Sequence, residues 1–458
     1  MFPTPVGSTQ NHERHDQARD GLFRGTIEAM SMDAKVERAR QEFGDRNPRS
    51  RRYFESARQV LPGGHTRTVL THLPFPLVFA TGEGSTLTDI DGHVYVDMLG
   101  DYTAGLLGHS ERRVLDAVAL ALTSNASVGG IHPAEAPLAR HMCDRFGLER
   151  VRFTNSGTEA NLMAITTALM ATGRSRVMVF QGGYHGGLLY FATGQARWNA
   201  PYEFVVASYN DTDATLKLIK EIGPNLAALL VEPMLGAGGC IPADTQFLQA
   251  AFGAAREAGA VVIADEVMTS RHGATGMAAL LGVRPDLATY GKYIGGGFSF
   301  GAFGGAAVLM DQYDTSPAVG HVSPIAHAGT FNNNIATMTA GTVVLGEVFT
   351  ASVAKDHMAR GNEFRSLIMD VVSRSGVPVS VTGFGSMMSL HARIPAPTDA
   401  VQAADRDAEL QELIFLGLLQ RGIYTAPRGM INLSLAHTDD DLAAALDALA
   451  DCLSALHS

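Results

Sequence analysis

From residue 151 onward, apolar and polar positions follow two alternating patterns. Short, almost unbroken apolar runs at 151–154, 177–181, 204–207, 227–231 and 261–264 predict strands. Between them, 159–172, 214–221 and 245–258 place apolar residues every three to four positions and predict helices. Strands apolar on both faces, separated by helices, predict an α/β fold with a mainly parallel sheet covered on both sides. Ligands of such sheets bind beyond the carboxyl ends of the strands. Upstream, 34–42 and 51–61 read as short amphipathic helices, 61–67 as a Pro/Gly loop, and 77–80, 86–89 and 94–98 as strands, with a turn at 90–93. Helices are expected at 114–124 and 134–146, around a Ser/Gly-rich loop at 124–131. Downstream, a strand pair at 301–309, a Pro/Gly/His-rich loop at 316–330, helices at 334–349 and 353–372 and a closing helix at 439–456 are expected. The domain reading is a flexible leader at 1–33, with Met30 or Met32 as a possible natural start. A segment at 34–98 contributes to the small domain, 99–349 forms a large domain, and 350–458 forms a smaller α+β domain.

A chain of 458 residues is too long for one ordinary core, and 46% hydrophobic against 18% charged residues suits a large buried interior. The formal net charge of −11 argues against nucleic acid as a main partner. An acidic substrate would need local arginines working against that field. Cys143, Cys240 and Cys452 are scattered without CxxC spacing, which points to a reducing compartment and no metal site. No apolar run approaches a membrane span and no signal pattern opens the chain, so the expected location is the cytoplasm.

Candidate chemistry centres on one lysine. Lysine occurs only at Lys35, Lys217, Lys220, Lys292 and Lys355; four of these lie in charged helical segments, whereas Lys292 lies among Tyr290, Gly291, Tyr293, Ile294 and Gly295. A desolvated amine loses basicity and can attack an aldehyde to form a Schiff base; the alternative is a snorkelling loop lysine. Ser156, Gly157 and Thr158 follow a strand and open a helix, an anion site suited to phosphate or an ordinary N-cap at Ser156. Asp265 ends an apolar strand, where a carboxylate can hold a protonated ring nitrogen or cap a helix. Tyr184, in the Gly182–Gly187 loop, can stack on a planar ring or pack under its own loop, and the neighbouring His185 reads as structural. Amine, phosphate cradle, ring stacker and carboxylate together are the contacts that pyridoxal 5'-phosphate needs.

Over 61–456 the chain resembles the class III, fold-type-I aminotransferases, on Asn155-Ser156-Gly157-Thr158-Glu159-Ala160, Tyr184-His185-Gly186, Val231-Glu232-Pro233, Asp265-Glu266-Val267 and Gly291-Lys292. The resemblance implies a seven-stranded sheet and pyridoxal phosphate as cofactor. It implies Lys292 as the Schiff-base lysine, Asp265 at the pyridine nitrogen, Tyr184 and Val267 on opposite ring faces, Gly157 and Thr158 on the phosphate, and Ser156 and Glu232 in the same cofactor set. It implies a homodimer in which Thr330 reaches the partner's phosphate site. Leu61-Pro62-Gly63-Gly64 resembles the glutamate-1-semialdehyde aminomutase branch, but Phe331-Asn332-Asn333-Asn334 and Tyr424-Thr425-Ala426-Pro427-Arg428-Gly429 depart from it. Gly63-Gly64-His65-Thr66-Arg67, Met268-Thr269-Ser270-Arg271 and Ala426-Pro427-Arg428-Gly429 are similar to the β-phenylalanine aminotransferase group, from which His65 and Asp101 differ. The expected reaction moves an amino group from a β-amino acid to a 2-oxo acid by ping-pong kinetics, with Arg67 and Arg428 on the substrate carboxylates. Intramolecular amino transfer, a generic ω-aminotransferase and a non-catalytic cofactor-binding regulator are the alternatives.

Overall fold

The computed structural model describes residues 31–192, 194–316 and 325–457. The expected leader lies outside the described residues as far as residue 30, and so does 317–324 of the expected loop. At Ser31 the leader has already given way to structure: Ser31 Oγ accepts from Ala34 N at 3.3 Å and caps the helix Met32–Arg46. The second helix, Pro48–Ala57, starts at a proline, whose fixed φ suits the first turn.

Seven strands form the central sheet, in the order Arg150–Thr154, Gly301–Gly305, Leu287–Gly291, Val261–Asp265, Leu226–Val231, Arg176–Phe180, Glu203–Ala207. All run parallel except Gly301–Gly305, which is antiparallel to both its neighbours. Both faces are dry. Val262 and Ala264 join one apolar cluster with Leu229 and Val231, while Val261 and Ile263 join another with Ala228 and Leu230. This is the two-residue strand period read from both sides. On the second face Ala160, Ala164 and Ala168 of the helix Gly157–Thr172 are fully buried, and their small side chains let that helix lie close on the sheet.

Register brings the functional strand ends level. Gly301 pairs with both Thr154 and Gly291, Thr289 with Asp265, and Ala264 with Val231. Around this sheet, Phe79–Glu83, Thr86–Asp89 and Val94–Asp97 form a meander closed by Ile423–Tyr424, and Ser380–Phe384, Met387–His391 and Met430–Asn432 form a three-stranded sheet. Two stretches of the C-terminal half fold differently from expectation. The expected strand pair at 301–309 is one strand followed by a helical turn, Ala307–Met310, because Gly301–Gly305 is a middle strand held on both sides. The expected 334–349 helix runs Ile335–Val343 with Asn334 as its cap, then widens into a π turn at Val344–Val348, where Phe349 N donates to Val344 O at 2.7 Å. The first strand begins at Phe79 rather than 77, because the tight turn at Gly84-Ser85 pairs Glu83 with Thr86 and sets the hairpin register. Among the described residues no single helix is long and apolar enough to cross a membrane.

Candidate active site

A cavity of about 640 Å³ opens over the carboxyl ends of the parallel strands. Its wall includes Ser156, Gly157 and Thr158 from one strand end, Tyr184 and Glu232 from two more, and Asp265, Val267 and Lys292 from the centre of the sheet. Every candidate cofactor residue from the sequence except Thr330 therefore lies on one cavity. Thr330 is exposed and lies outside it.

Lys292 follows the last residue of the strand Leu287–Gly291 and adopts a left-handed φ of 54°. Its Nζ donates to the Tyr102 carbonyl. That carbonyl belongs to a run of three non-glycine residues at positive φ: Asp101 (44°), Tyr102 (52°) and Thr103 (80°). Left-handed backbone is costly for L-residues and persists only where surrounding packing enforces it, typically at functional sites. Burial pulls the Lys292 amine down to about 8; Asp101 opposes the shift, while Arg428 and Arg67 add to it.

Asp265 is buried and fully engaged. Its Oδ2 accepts from His185 Nδ1 and Asn161 Nδ2, both at 2.8 Å, and its Oδ1 accepts from Val267 N at 3.0 Å, with Thr289 Oγ1 3.3 Å away. Thr289 Oγ1 has one proton to give and its shorter contact is Asn161 Oδ1 at 2.8 Å, so Asn161 is itself held. The sequence reading expected a structural histidine at 185; the structure buries it and makes it an orienting partner of Asp265. Asn161, on the helix four residues after Gly157, was given no role, although the 3.6-residue period puts it on the Gly157 face. Glu232 accepts from Tyr184 N at 2.9 Å and Gly236 N at 3.0 Å, which fixes the Tyr184 loop. Burial raises the Glu232 carboxyl to about 7, with His185 opposing and Asp265 reinforcing.

Ser156 is the N-cap of the helix Gly157–Thr172, accepting from Glu159 N at 3.2 Å, and it also lines the cavity. A hydroxyl that accepts one bond can still donate another, so the cap and the anion-site readings coexist. Gly157 has no room for a side chain: a Cβ there would lie 2.9 Å from Val267 Cγ2. At Gly186, φ of +121° and the nearby Thr158 Oγ1 exclude one as well. The two arginines converge on one ring. Arg67 Cζ is 5.7 Å and Arg428 Cζ 5.0 Å from the Tyr102 ring centroid, and Tyr102 Oη donates to Val69 O at 2.8 Å. Arg428 Nε is buried with no hydrogen-bond partner among the described residues. Among the same residues no three His, Cys, Asp or Glu side chains gather as a metal site.

The family model for class III aminotransferases matches residues 70–453. The chain belongs to the class III aminotransferases. Among relatives of this class III chain, the β-phenylalanine transaminase of Variovorax paradoxus is 45% identical over 413 residues, 90% of this chain and 94% of that one. A glutamate-1-semialdehyde 2,1-aminomutase of Deinococcus radiodurans is 37% identical over 437 residues, 88% of this chain and 96% of that one. A solved β-phenylalanine aminotransferase from V. paradoxus superimposes with a TM-score of 0.89 at 44% identity, covering 92% of this chain and 97% of that one.

Class III aminotransferases use pyridoxal phosphate. The residues of this aminotransferase fit that group: a cramped glycine-lined helix N-terminus for a phosphate, a buried carboxylate, a ring of Tyr184 on the wall, and one amine of lowered basicity. The amine gives a direct test. Only its neutral form attacks an aldehyde, so the rate at which the apoprotein captures pyridoxal phosphate is expected to rise about tenfold per pH unit below the amine's pKa. The rise should flatten near pH 8. Stopped-flow absorbance from pH 6 to 10 measures this; a rate still climbing steeply at pH 10 would assign Lys292 an ordinary amine.

Proposed function

We propose that this enzyme moves an amino group from a β-amino acid, such as β-phenylalanine, to a 2-oxo acid. The observation that carries the reading is the pair of guanidiniums, Arg67 and Arg428, on the one Tyr102 ring whose backbone carbonyl holds Lys292 Nζ. A β-amino acid carries its carboxylate one carbon further from the reacting centre than a 2-oxo acid does. Two carboxylate receptors near one amine can serve both distances, each through two parallel hydrogen bonds. The 45% identity to a β-phenylalanine transaminase supports the same substrate class.

In this reading Lys292 would hold the cofactor's aldehyde carbon, Asp265 its ring nitrogen, Tyr184 and Val267 its two faces, and Ser156, Gly157 and Thr158 its phosphate, with Glu232 fixing the Tyr184 loop. When bound, pyridoxal phosphate supplies an electron sink for the charge left on the amine-bearing carbon once its proton is removed. Lys292 Nζ, whose basicity burial lowers to about 8 so that more of it is neutral near neutral pH, takes that proton and later returns it as general base and acid. His185 and Asn161 keep Asp265 in place and deny it other partners. Arg67 and Arg428 orient each substrate by its carboxylate and so present the correct carbon to Lys292. The donor's oxo product leaves before the acceptor enters, which gives ping-pong kinetics.

The functional unit in this proposal is a homodimer. Ile131 and Phe331 are 93% and 59% exposed on two loops tied together by the Asn333 Nδ2 to Gly130 O bond of 3.0 Å. An apolar patch of this kind, beside the exposed Thr330, suits a second copy whose phosphate site Thr330 would complete.

A panel of α- and β-amino donors against 2-oxoglutarate and pyruvate, followed at the cofactor's absorbance, tests the reading. β-Phenylalanine is expected to give the half-reaction. No half-reaction from any aromatic β-amino acid would point instead to a generic ω-aminotransferase. Turnover without acceptor would favour intramolecular transfer, the activity named for the 37% identical aminomutase.

A further inference from the structure

Arg67 is already occupied. Its Nη1 donates to Asp101 Oδ1 at 2.6 Å, and Asp101 lines the cavity whereas Arg67 does not. The protein's own carboxylate thus stands between the guanidinium and the space a substrate enters. Both side chains are half-exposed, at 46% and 51%, so water competes for each and the pair is held by a few-fold preference at most. Only one nitrogen of the fork is engaged, against two in a bidentate pair. Asp101 also begins the left-handed run whose next carbonyl holds Lys292, so its placement is tied to the reacting amine and not to a free loop.

We propose that Asp101 is a specificity-determining residue: its carboxylate takes the place of a substrate carboxylate on Arg67 and must be displaced whenever one binds. This rests on the reading of Arg67 as a carboxylate receptor. Asp101 then acts in two directions. It penalises carboxylate-bearing substrates, which must displace it from Arg67 and then bind beside its negative charge, and it helps their products leave by returning to Arg67. Amine donors without a carboxylate leave the pair closed, and their ammonium groups gain from the acidic wall. The same site thereby grades substrates by whether they carry a carboxylate.

The test is Asp101→Asn in the holoenzyme. Asparagine is among the residues that best tolerate the left-handed region, so the 44° φ is kept. The KM for β-phenylalanine is expected to fall by about two- to fivefold, and the KM for 1-phenylethylamine, the same molecule without its carboxylate, to rise. Calorimetric affinity for 3-phenylpropanoate, which has no amine to react, should tighten by the same factor as the β-phenylalanine KM falls, with no such gain for 3-phenylpropanamide. In an Arg67→Ala background Asp101→Asn should no longer improve carboxylate binding. Weaker or unaltered binding of 3-phenylpropanoate by Asp101→Asn, with Arg67→Ala strongly raising the KM of carboxylate substrates, would overturn the proposal alone and make Asp101 a holder of Arg67. If Arg67→Ala itself leaves those KM values unchanged, the receptor reading falls and the gate with it.

Discussion

Lys292→Ala is expected to abolish turnover, to below about one part in 10⁴ of the parent rate, and to remove the absorbance of cofactor held covalently on the chain. No other lysine can substitute. Lys217, Lys220 and Lys355 are exposed on surface helices, Lys35 lies on the Met32–Arg46 helix, and none lines the cavity. The amine's basicity, lowered to about 8, means that the fold keeps the charged form in surroundings that disfavour it. Alanine shares lysine's Cβ, so the 54° φ costs neither residue more, and the desolvated ammonium is gone. The melting temperature of the apoprotein near pH 7 is therefore expected to hold or rise while activity vanishes, the usual sign of a site whose strain serves chemistry and not stability. Turnover above about one per cent of the parent in a folded Lys292→Ala protein would remove the residue from its central role.

The elements that carry the site were legible because their sequences have one physical solution. Leu226–Val231 is apolar throughout and Val261–Asp265 at every position but the last, and such runs between helices can only be strands buried on both faces. The chemistry-bearing residues follow such strands directly, so the parallel topology alone gathers Ser156, Asp265 and Lys292 at one end of the sheet. What stayed hidden depends on distant partners. A strand is expected at Gly301–Gly305, but its place between two antiparallel neighbours and the helical turn Ala307–Met310 in place of a second strand depend on that pairing. Nothing in Asp101, Tyr102 or Thr103 announces left-handed backbone, since tyrosine and threonine normally avoid it. Arg67 and Arg428 could be read as carboxylate receptors from residue type and loop setting, but their shared Tyr102 ring and the Asp101 contact required the folded chain. His185 reads as structural from the sequence, but its bond to Asp265 could not be read at all.

That bond shapes what replacing Asp265 should do. With three donors on its two oxygens, Asp265 presents an oriented negative charge whose position is set before any ligand arrives. Asp265→Asn keeps the shape and removes the charge. It also turns one acceptor oxygen into a donor NH₂, facing either the donors His185 and Asn161 or the donor Val267 N. The ring nitrogen of the cofactor would then lose the partner that favours its protonated form, and with it most of the electron demand that eases proton removal by Lys292. A loss of about 10²- to 10³-fold in kcat is expected, the size associated with removing one preorganised charged or polar partner from a transition state. KM for the donor should move much less, because Arg67 and Arg428 are untouched. Covalent capture by Lys292 should survive, so the bound cofactor's visible band should remain while the half-reaction slows, which separates a charge effect from misfolding. The buried donors left without an acceptor should also lower the melting temperature by several degrees. A kcat within tenfold of the parent, with the band intact, would show that the carboxylate's charge is not what drives proton removal, and the assignment of Asp265 to the ring nitrogen would have to be given up.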